Sequence, residues 1–154
     1  MLKKTCAITL FLLLTSCGYE AIHSKKNSIN YDFSVSELTL NGDRDVNLKI
    51  KEKINNYTLN KKNKDFTLNI SSTAEKKIMA KNISGDPTSF KSTIIINVQI
   101  LMNNSLKNNL QLVESFDYDN NTNKLNLKRY EKEIKTNLAE NATEKLIYKL
   151  SNIQ

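Results

Sequence analysis

The chain has 154 residues, a formal net charge of +7 and 39% hydrophobic residues. A chain of this length can bury a core of its own, which excludes a small scaffold that depends on disulfides. Only two cysteines and one histidine are present, so the composition offers little for a zinc site or a cysteine–histidine catalytic pair.

The first residues have the pattern of a secretory signal peptide. Lys3 and Lys4 precede an apolar run over residues 7–14, and small residues follow it. The run is far shorter than the ~20 residues that span a bilayer. The sequence therefore predicts a signal peptide over residues 1–16, with cleavage between Ser16 and Cys17.

The residues around the cleavage point add a lipid anchor to this prediction. Leu-Thr-Ser-Cys at residues 14–17 resembles the bacterial lipobox, which implies cleavage by signal peptidase II and acylation of Cys17. Cys6 would leave with the signal peptide, so no thiol would remain for a disulfide, a metal or a nucleophile. Gly18 replaces the Asp of inner-membrane retention signals, which favours the periplasmic face of a Gram-negative outer membrane. The alternative is a plain secretory signal with Cys17 as a free thiol.

The mature chain is predicted to be a tether over residues 17–31 followed by one domain over residues 32–154. Loss of Lys3 and Lys4 lowers its formal charge to +5, because all sixteen acidic residues follow residue 17. A periplasmic location makes nucleic acid an unsuitable partner, and a mild positive excess suits anionic phosphates or only keeps the chain dissolved.

Hydrophobic periodicity predicts a first strand and then a helix. The strand contains Phe33, Val35, Leu38 and Leu40, with a slip near Ser36 that suggests a bulge. After a turn at residues 41–43, a helix is expected from Arg44 to about Leu59. Its apolar stripe is Val46, Ile50, Ile54 and Tyr57.

Three further runs have the two-residue period of strands with one apolar and one polar face. Turn signals at residues 84–87 and 103–105 separate them, which predicts a meander. A long helix follows at residues 124–151, with Leu127, Tyr130, Ile134, Leu138, Ala142, Leu146 and Leu150 on one stripe. The apolar positions of the strands are Phe66, Leu68, Ile70, Ala74, Ile78 and Ala80; Phe90, Ile94, Ile96, Val98, Ile100 and Met102; and Leu106, Leu110, Leu112, Phe116 and Tyr118.

The predicted order is β-α-β-β-β-α. Two helices of these lengths cover one face of a four-stranded sheet, so the predicted fold class is α+β, a two-layer sandwich with a mostly antiparallel sheet.

The sequence offers no catalytic constellation. His23 lies in the tether, and the pairs Asp117/Asp119 and Glu131/Glu133 fit a strand end and a solvated helix face. No glycine-rich phosphate loop, metal-ligand spacing or nucleophile elbow occurs. We therefore expect a protein that is not an enzyme, with no catalytic residue, metal site or cofactor.

A binding function is the class that remains, and lysines are the candidate binding residues. Lys77, Lys81, Lys91 and Lys107 fall on the polar parity of the predicted strands, and the loop at residues 82–89 joins the two longest strands. Lysines on an exposed strand face usually solvate it and discourage edge pairing. A phosphate-binding role requires them to converge.

Three features resemble the lipopolysaccharide-assembly lipoproteins of the LptE family, particularly the divergent alphaproteobacterial type. These are the start CGYEAIH at residues 17–23, the β-α-β-β-β-α order, and the strand end Phe116-Asp117-Tyr118 before a long charged helix. Ala21 and His23 stand where the family often has Pro and Tyr. The resemblance implies a lipoprotein that plugs an LptD-type outer-membrane β-barrel, assists its assembly and helps deliver lipopolysaccharide to the cell surface. On this basis we hypothesise that the loop at residues 82–89 and Lys77, Lys81 and Lys91 face lipopolysaccharide.

Two other functions stay open. An auxiliary lipoprotein of an ABC- or MCE-type envelope transporter can have a similar fold and anchor. A structural lipoprotein that binds peptidoglycan or another part of the envelope is the third possibility.

Overall fold

Four strands and two α-helices follow one another in the order β-α-β-β-β-α in a computed structural model that describes residues 31–153. This order confirms the predicted one, because the hydrophobic period changes at each boundary. The elements are β1 (Phe33–Gly42), α1 (Arg44–Ile54), a 3-10 turn (Asn55–Tyr57), β2 (Lys64–Lys81), β3 (Pro87–Met102), β4 (Ser105–Asp119) and α2 (Lys124–Ser151).

The strands form one mixed sheet in the order β1-β2-β3-β4. β1 runs parallel to β2, whereas β2–β3 and β3–β4 are antiparallel hairpins. With the helices on one face, the fold class is the predicted α+β sandwich. The register of β1 slips between Val35 and Glu37, which confirms the bulge expected near Ser36.

The end of β1 requires a glycine. Gly42 has a φ of +102°, and a Cβ atom there would lie 1.9 Å from the carbonyl oxygen of Ser72 in β2. Asp43 follows as the N-cap of α1, and its Oδ1 accepts hydrogen bonds from the backbone N–H groups of Asp45 and Val46 at 3.0 Å. The chain thereby turns from the sheet into α1 within two residues.

Helix α1 is shorter than predicted. It ends at Ile54 rather than near Leu59, and Asn55–Tyr57 continue as a single 3-10 turn. Asparagine is a weak helix former, and the Thr58 hydroxyl donates to the Asn55 carbonyl at 2.9 Å instead of leaving it for the helix. Tyr57 nevertheless packs inward, since its ring stacks on Phe33 at 4.8 Å between centroids.

Helix α2 has the predicted bounds. Asn123 caps it by accepting from the backbone N–H groups of Leu125 and Asn126. Ion pairs hold it to α1, with Lys53 Nζ 2.5 Å from Glu140 and 3.6 Å from Glu144. Most of the predicted stripe is buried, namely Leu127, Ile134, Leu138, Ala142, Leu146 and Leu150.

Five residues predicted on apolar faces are exposed, which corrects that prediction; the smallest of them is Ala80. Leu106 is 56% exposed, Phe116 47%, and Ile78 and Tyr130 44% each. Leu106 and Phe116 belong to the edge strand β4, and Ile78 lies near the end of a hairpin. Alternation fixes which face a side chain occupies, but the helices do not cover these parts of that face.

The opposite face of the sheet is uncovered and polar. Amide and hydroxyl side chains make up most of it, between scattered charges and the cross-strand pair Ile95 and Val113. Gln111 Nε2 donates to Asn97 Oδ1 across β3 and β4 at 3.0 Å. Alternation places on this face Thr67, Asn69, Ser71, Thr73, Asn97, Gln99, Asn109, Gln111 and Ser115.

Candidate functional site

The far end of the β2–β3 hairpin extends beyond the covered part of the sheet. Every residue from 75 to 86 is exposed, whereas Phe66, Leu68 and Ile70 at the start of β2 are buried. We refer to residues 75–91 as the hairpin end. Four lysines against two acidic residues give it a formal charge of +2.

A tight turn closes the hairpin end. Asn82 and Asp86 face each other, with the Asn82 N–H donating to the Asp86 carbonyl at 2.9 Å and the Asp86 N–H donating to Asn82 Oδ1 at 2.8 Å. Gly85 has a φ of +87°, a conformation that glycine adopts without strain. The turn is therefore defined by its own backbone and side-chain hydrogen bonds.

The structure brings two of the predicted lysines together. Lys77 of β2 and Lys91 of β3 are direct cross-strand partners on the uncovered face, where such pairs have Cβ atoms about 5 Å apart. Lys91 Nζ lies 3.5 Å from the Asp117 carboxylate, so part of this charge is balanced. The structure therefore places two lysines and one carboxylate side by side across three strands.

The other two lysines differ in position. Lys81 is the last residue of β2 and lies opposite Pro87. Register shifts at Ile78/Ala80 and Ala80/Lys81 interrupt the strand before it, so alternation does not assign Lys81 to a face of the sheet. Lys107 lies at the opposite end of β3 and β4, roughly 35 Å away at the rise of an antiparallel strand. Lys107 is thus separated from Lys77 and Lys91.

Three aliphatic side chains at the hairpin end were missed by sequence reasoning as a group. Ile78 and Met79 are about half exposed, and Ile83 in the turn is fully exposed. We call these three residues the apolar cap. The signals were present in the sequence: adjacent apolar residues at 78 and 79 break the two-residue period, and Ile83 is aliphatic within a polar turn.

Lys76, on the helix-covered side, connects the hairpin end to α2. Its ammonium lies 3.8 Å from the centroid of the Phe90 ring and 2.5 Å from Glu131. Glu131 also accepts a hydrogen bond from the Tyr118 hydroxyl at 3.1 Å. Burial, and then the negative charge of Glu131, raise the pKa of Tyr118 well above its ordinary value. This network fixes the base of the hairpin end.

Ser16, Cys17 and His23 lie outside the residues that the structure describes, so their predicted roles stay predictions. Within residues 31–153, no cluster of three or more His, Cys, Asp or Glu side chains could hold a metal ion. Neither helix of this part of the chain is long and apolar enough to cross a membrane.

The geometry defines a class of protein: a two-layer α+β domain with a long β2–β3 hairpin whose end is exposed. No family model matches the sequence, and no curated protein matches it. Solved structures do match the fold.

These similar structures are small bacterial lipoproteins. Rare lipoprotein B from Shewanella oneidensis is 10% identical with a TM-score of 0.55, and the match covers 75% of this chain and 97% of that one. The minor lipoprotein from Acinetobacter baumannii is 13% identical with a TM-score of 0.56, covering 79% and 91%. Lipoprotein B from Nitrosomonas europaea is 13% identical with a TM-score of 0.54, covering 80% and 88%. At these identities the match establishes the fold alone.

Proposed function

We propose that this chain is an outer-membrane lipoprotein that plugs an LptD-type β-barrel, assists its assembly and helps deliver lipopolysaccharide to the cell surface. Acyl chains on Cys17 hold it at the periplasmic face of the membrane. The protein works by binding, without catalysis. The observation that carries the proposal is a fold shared with small bacterial lipoproteins, in a chain that also has a lipobox-like sequence before Cys17.

The uncovered face of the sheet supports the role of a plug. Its amide and hydroxyl side chains can hydrogen-bond to the polar interior of an outer-membrane barrel. The charged groups at one end of this face are Lys77, Lys91, Glu75, Asp117 and Asp119. The domain therefore presents a polar surface to the barrel, with Lys77 and Lys91 as the cations available to a lipid phosphate.

Lys77, Lys81 and Lys91 are the residues proposed to contact lipopolysaccharide. Lys77 and Lys91 are direct neighbours across two strands, so both can reach one phosphate group of lipid A. Charge-assisted hydrogen bonds of this kind are shorter and stronger than neutral ones. Lys81 sits nearer the turn and supplies a further cation for a second phosphate.

Reversal of these three charges tests the contact. The triple variant Lys77→Glu, Lys81→Glu, Lys91→Glu is expected to weaken lipopolysaccharide binding at least about tenfold, because like charges then face the phosphates. Binding of the purified lipidated protein to labelled lipopolysaccharide measures the effect. Barrel association should stay intact, because the rest of the polar face is unchanged.

The matched control carries the same change of charge elsewhere. Lys51, Lys61 and Lys107 are exposed and lie away from the hairpin end, so their reversal to Glu should leave binding near the wild-type level. Equal weakening by both triple variants would reveal a general charge effect. Unchanged binding in the hairpin-end variant would rule out the proposed contact.

Recovery of partners tests the larger proposal. The tagged, lipidated protein is purified from detergent-solubilised outer membranes, and co-purifying proteins are identified by mass spectrometry. A near-stoichiometric large β-barrel of the LptD type is the expected result. Recovery of ABC- or MCE-type components would favour the transporter alternative, and peptidoglycan-associated material without a barrel would favour the structural one.

A further inference from the structure

Strand β4 forms one edge of the sheet, and most of this edge is unprotected. It is last in the order β1-β2-β3-β4, so its outer backbone groups have no strand partner within residues 31–153. Proteins usually protect such edges with charged side chains, proline or bulges. From residue 108 to residue 116, β4 pairs regularly with β3 and has no proline, and its one charged side chain, Glu114, is ion-paired with Lys145 of α2. This stretch can therefore accept another strand.

Apolar side chains are exposed on both faces of the stretch. Val113 is 52% exposed on the polar face, and Phe116 is about half exposed on the helix side. A cavity of about 240 Å³ opens beside Phe116 between β4 and α2, with Tyr130, Ile134 and Leu138 on its walls. A strand added to β4 would cover Val113 and Phe116 and bring side chains of its own to this cavity.

The two ends of the stretch carry opposite charges. Lys107 precedes it and Asp119 follows it, and both are exposed with no ion-pair partner among residues 31–153. Asp117, also near the second end, already lies 3.5 Å from Lys91. An antiparallel copy of the same strand reverses the order of these charges, so that each lysine meets a carboxylate. The edge is thus electrostatically complementary to itself.

We infer that β4 pairs with β4 of a second copy of this chain, antiparallel about a two-fold axis at Val113, and joins two four-stranded sheets into one. Val113 then faces Val113 of the second copy, Lys107 faces Asp119, and Phe116 faces Leu110 beside the cavity. A second copy is favoured over an unrelated strand because β4 itself supplies both members of each contact. The pairing involves neither the barrel nor the lipid of the proposed function.

The same contacts select the register. An axis at Leu112 would place Phe116 opposite Asn108, and Lys107 would then face Asp117, which Lys91 already balances. An axis at Val113 matches the unpaired charges and the exposed apolar residues together.

Reversal of the end charges tests the pairing. Lys107→Glu and Asp119→Lys should each weaken self-association about tenfold at low ionic strength, because two-fold symmetry then creates two like-charge contacts. A mixture of the two variants should associate as wild type does, since opposite charges face each other again at both ends. Capture of one tagged copy of the lipidated chain by a differently tagged copy, in detergent, measures association.

The matched control is Lys51→Glu, at an exposed lysine of α1, which should associate as wild type does. All the compared chains carry the same anchor, so effects of the detergent micelle cancel. The substituted residues are exposed, so melting temperatures should stay near that of wild type.

Cysteine cross-linking tests the register. Val113→Cys should give a disulfide between two copies under mild oxidation, because directly opposite residues have Cβ atoms about 5 Å apart. Ser115→Cys is the control on the same face: it would lie roughly 14 Å from its own counterpart, beyond the reach of a disulfide. It should instead cross-link to Gln111→Cys when the two variants are mixed. Wild type oxidised in parallel controls for Cys17, and mass spectrometry identifies the linked peptides.

Three results would overturn the inference. The first is a wild-type chain that stays monomeric at high micromolar concentration, where even weak specific interfaces associate. The second is self-association that charge reversal leaves unchanged, or that mixing the two reversed variants does not restore. The third is cross-linking of Ser115→Cys to itself as readily as Val113→Cys, which would exclude the axis at Val113.

Discussion

At the scale of single residues, Asp43 shows how one side chain serves several contacts. It caps α1, and its Oδ2 lies 3.2 Å from Lys135 of α2. Burial opposes ionisation, but the hydrogen bond from the Val46 N–H and the pairing with Lys135 outweigh it, so the pKa of Asp43 is lowered. One carboxylate therefore joins the start of α1 to the middle of α2.

We expect Asp43→Ala to cost about 1–2 kcal/mol of unfolding free energy at pH 7, the cost typical of a lost N-cap. A lowered pKa means that the ionised form stabilises the fold above the ordinary value of 3.8 and that this stabilisation fades as the pH falls below it. The deficit should accordingly shrink toward pH 3. Urea unfolding at pH 7 and pH 3 measures it.

Asp43→Asn is the control, since asparagine caps equally well but carries no charge to pair with Lys135. It should lose less stability than the alanine variant at pH 7. A deficit in Asp43→Ala that is the same at both pH values would contradict a role for the charge.

At the scale of elements, most of the fold followed from periodicity. The switch from a helical to a two-residue period separated α1 from β2, and the asparagine pair at 103 and 104 marked the β3–β4 turn, where both residues have positive φ. The end of α1 was predicted too late because Tyr57 fits the stripe although Asn55 and Asn56 favour a turn. Exposure of Phe116 and Ile78 was unpredictable because coverage depends on where the helices lie, not on local pattern.

Attachment of α2 to the sheet gives the prediction at this scale. Tyr118→Phe removes the hydrogen bond to Glu131 and should cost about 1 kcal/mol at pH 7. Because the pKa of Tyr118 is raised in the fold, its neutral phenol stabilises the protein below about pH 10, and this stabilisation is lost as the pH rises further. Wild type should thus lose stability above pH 10 more steeply than Tyr118→Phe, as urea unfolding at pH 7 and 11 will show.

Tyr148→Phe is its matched control, because Tyr148 is an exposed tyrosine of α2. We expect it to change stability at pH 7 by less than about 0.5 kcal/mol. Parallel alkaline curves for wild type and Tyr118→Phe would show that the phenol of Tyr118 is not linked to folding.

At the scale of the whole molecule, the candidate site was predictable only in part. The sequence suggested Lys77, Lys81 and Lys91, but only strand register could show that Lys77 and Lys91 are neighbours and that Lys107 is remote. The apolar cap emerged from exposure, which depends on the whole fold. Sequence patterns thus identified the lysines, and only the three-dimensional arrangement identified the exposed aliphatic residues of the apolar cap.

The prediction at the scale of the whole chain concerns the lipid anchor at Cys17. Cys17→Ala should prevent acylation and leave the signal peptide attached, because signal peptidase II cuts before a lipid-modified cysteine. The variant should therefore take up no labelled palmitate and run above the wild-type mature protein on an immunoblot. Its melting temperature, measured by circular dichroism, should match wild type, because residues 31–153 contain no cysteine. A variant that still takes up palmitate, or is cleaved as wild type is, would contradict lipidation at Cys17.

The uncovered polar face has a consequence for the energetics of association. Amide and hydroxyl groups such as those of Asn97 and Gln111 hydrogen-bond to water about as well as to another protein. The polar groups of this face consequently need no partner to satisfy their hydrogen bonds. Association would then be decided by fit and by tethering at the membrane, and would exchange one set of hydrogen bonds for another at little net cost.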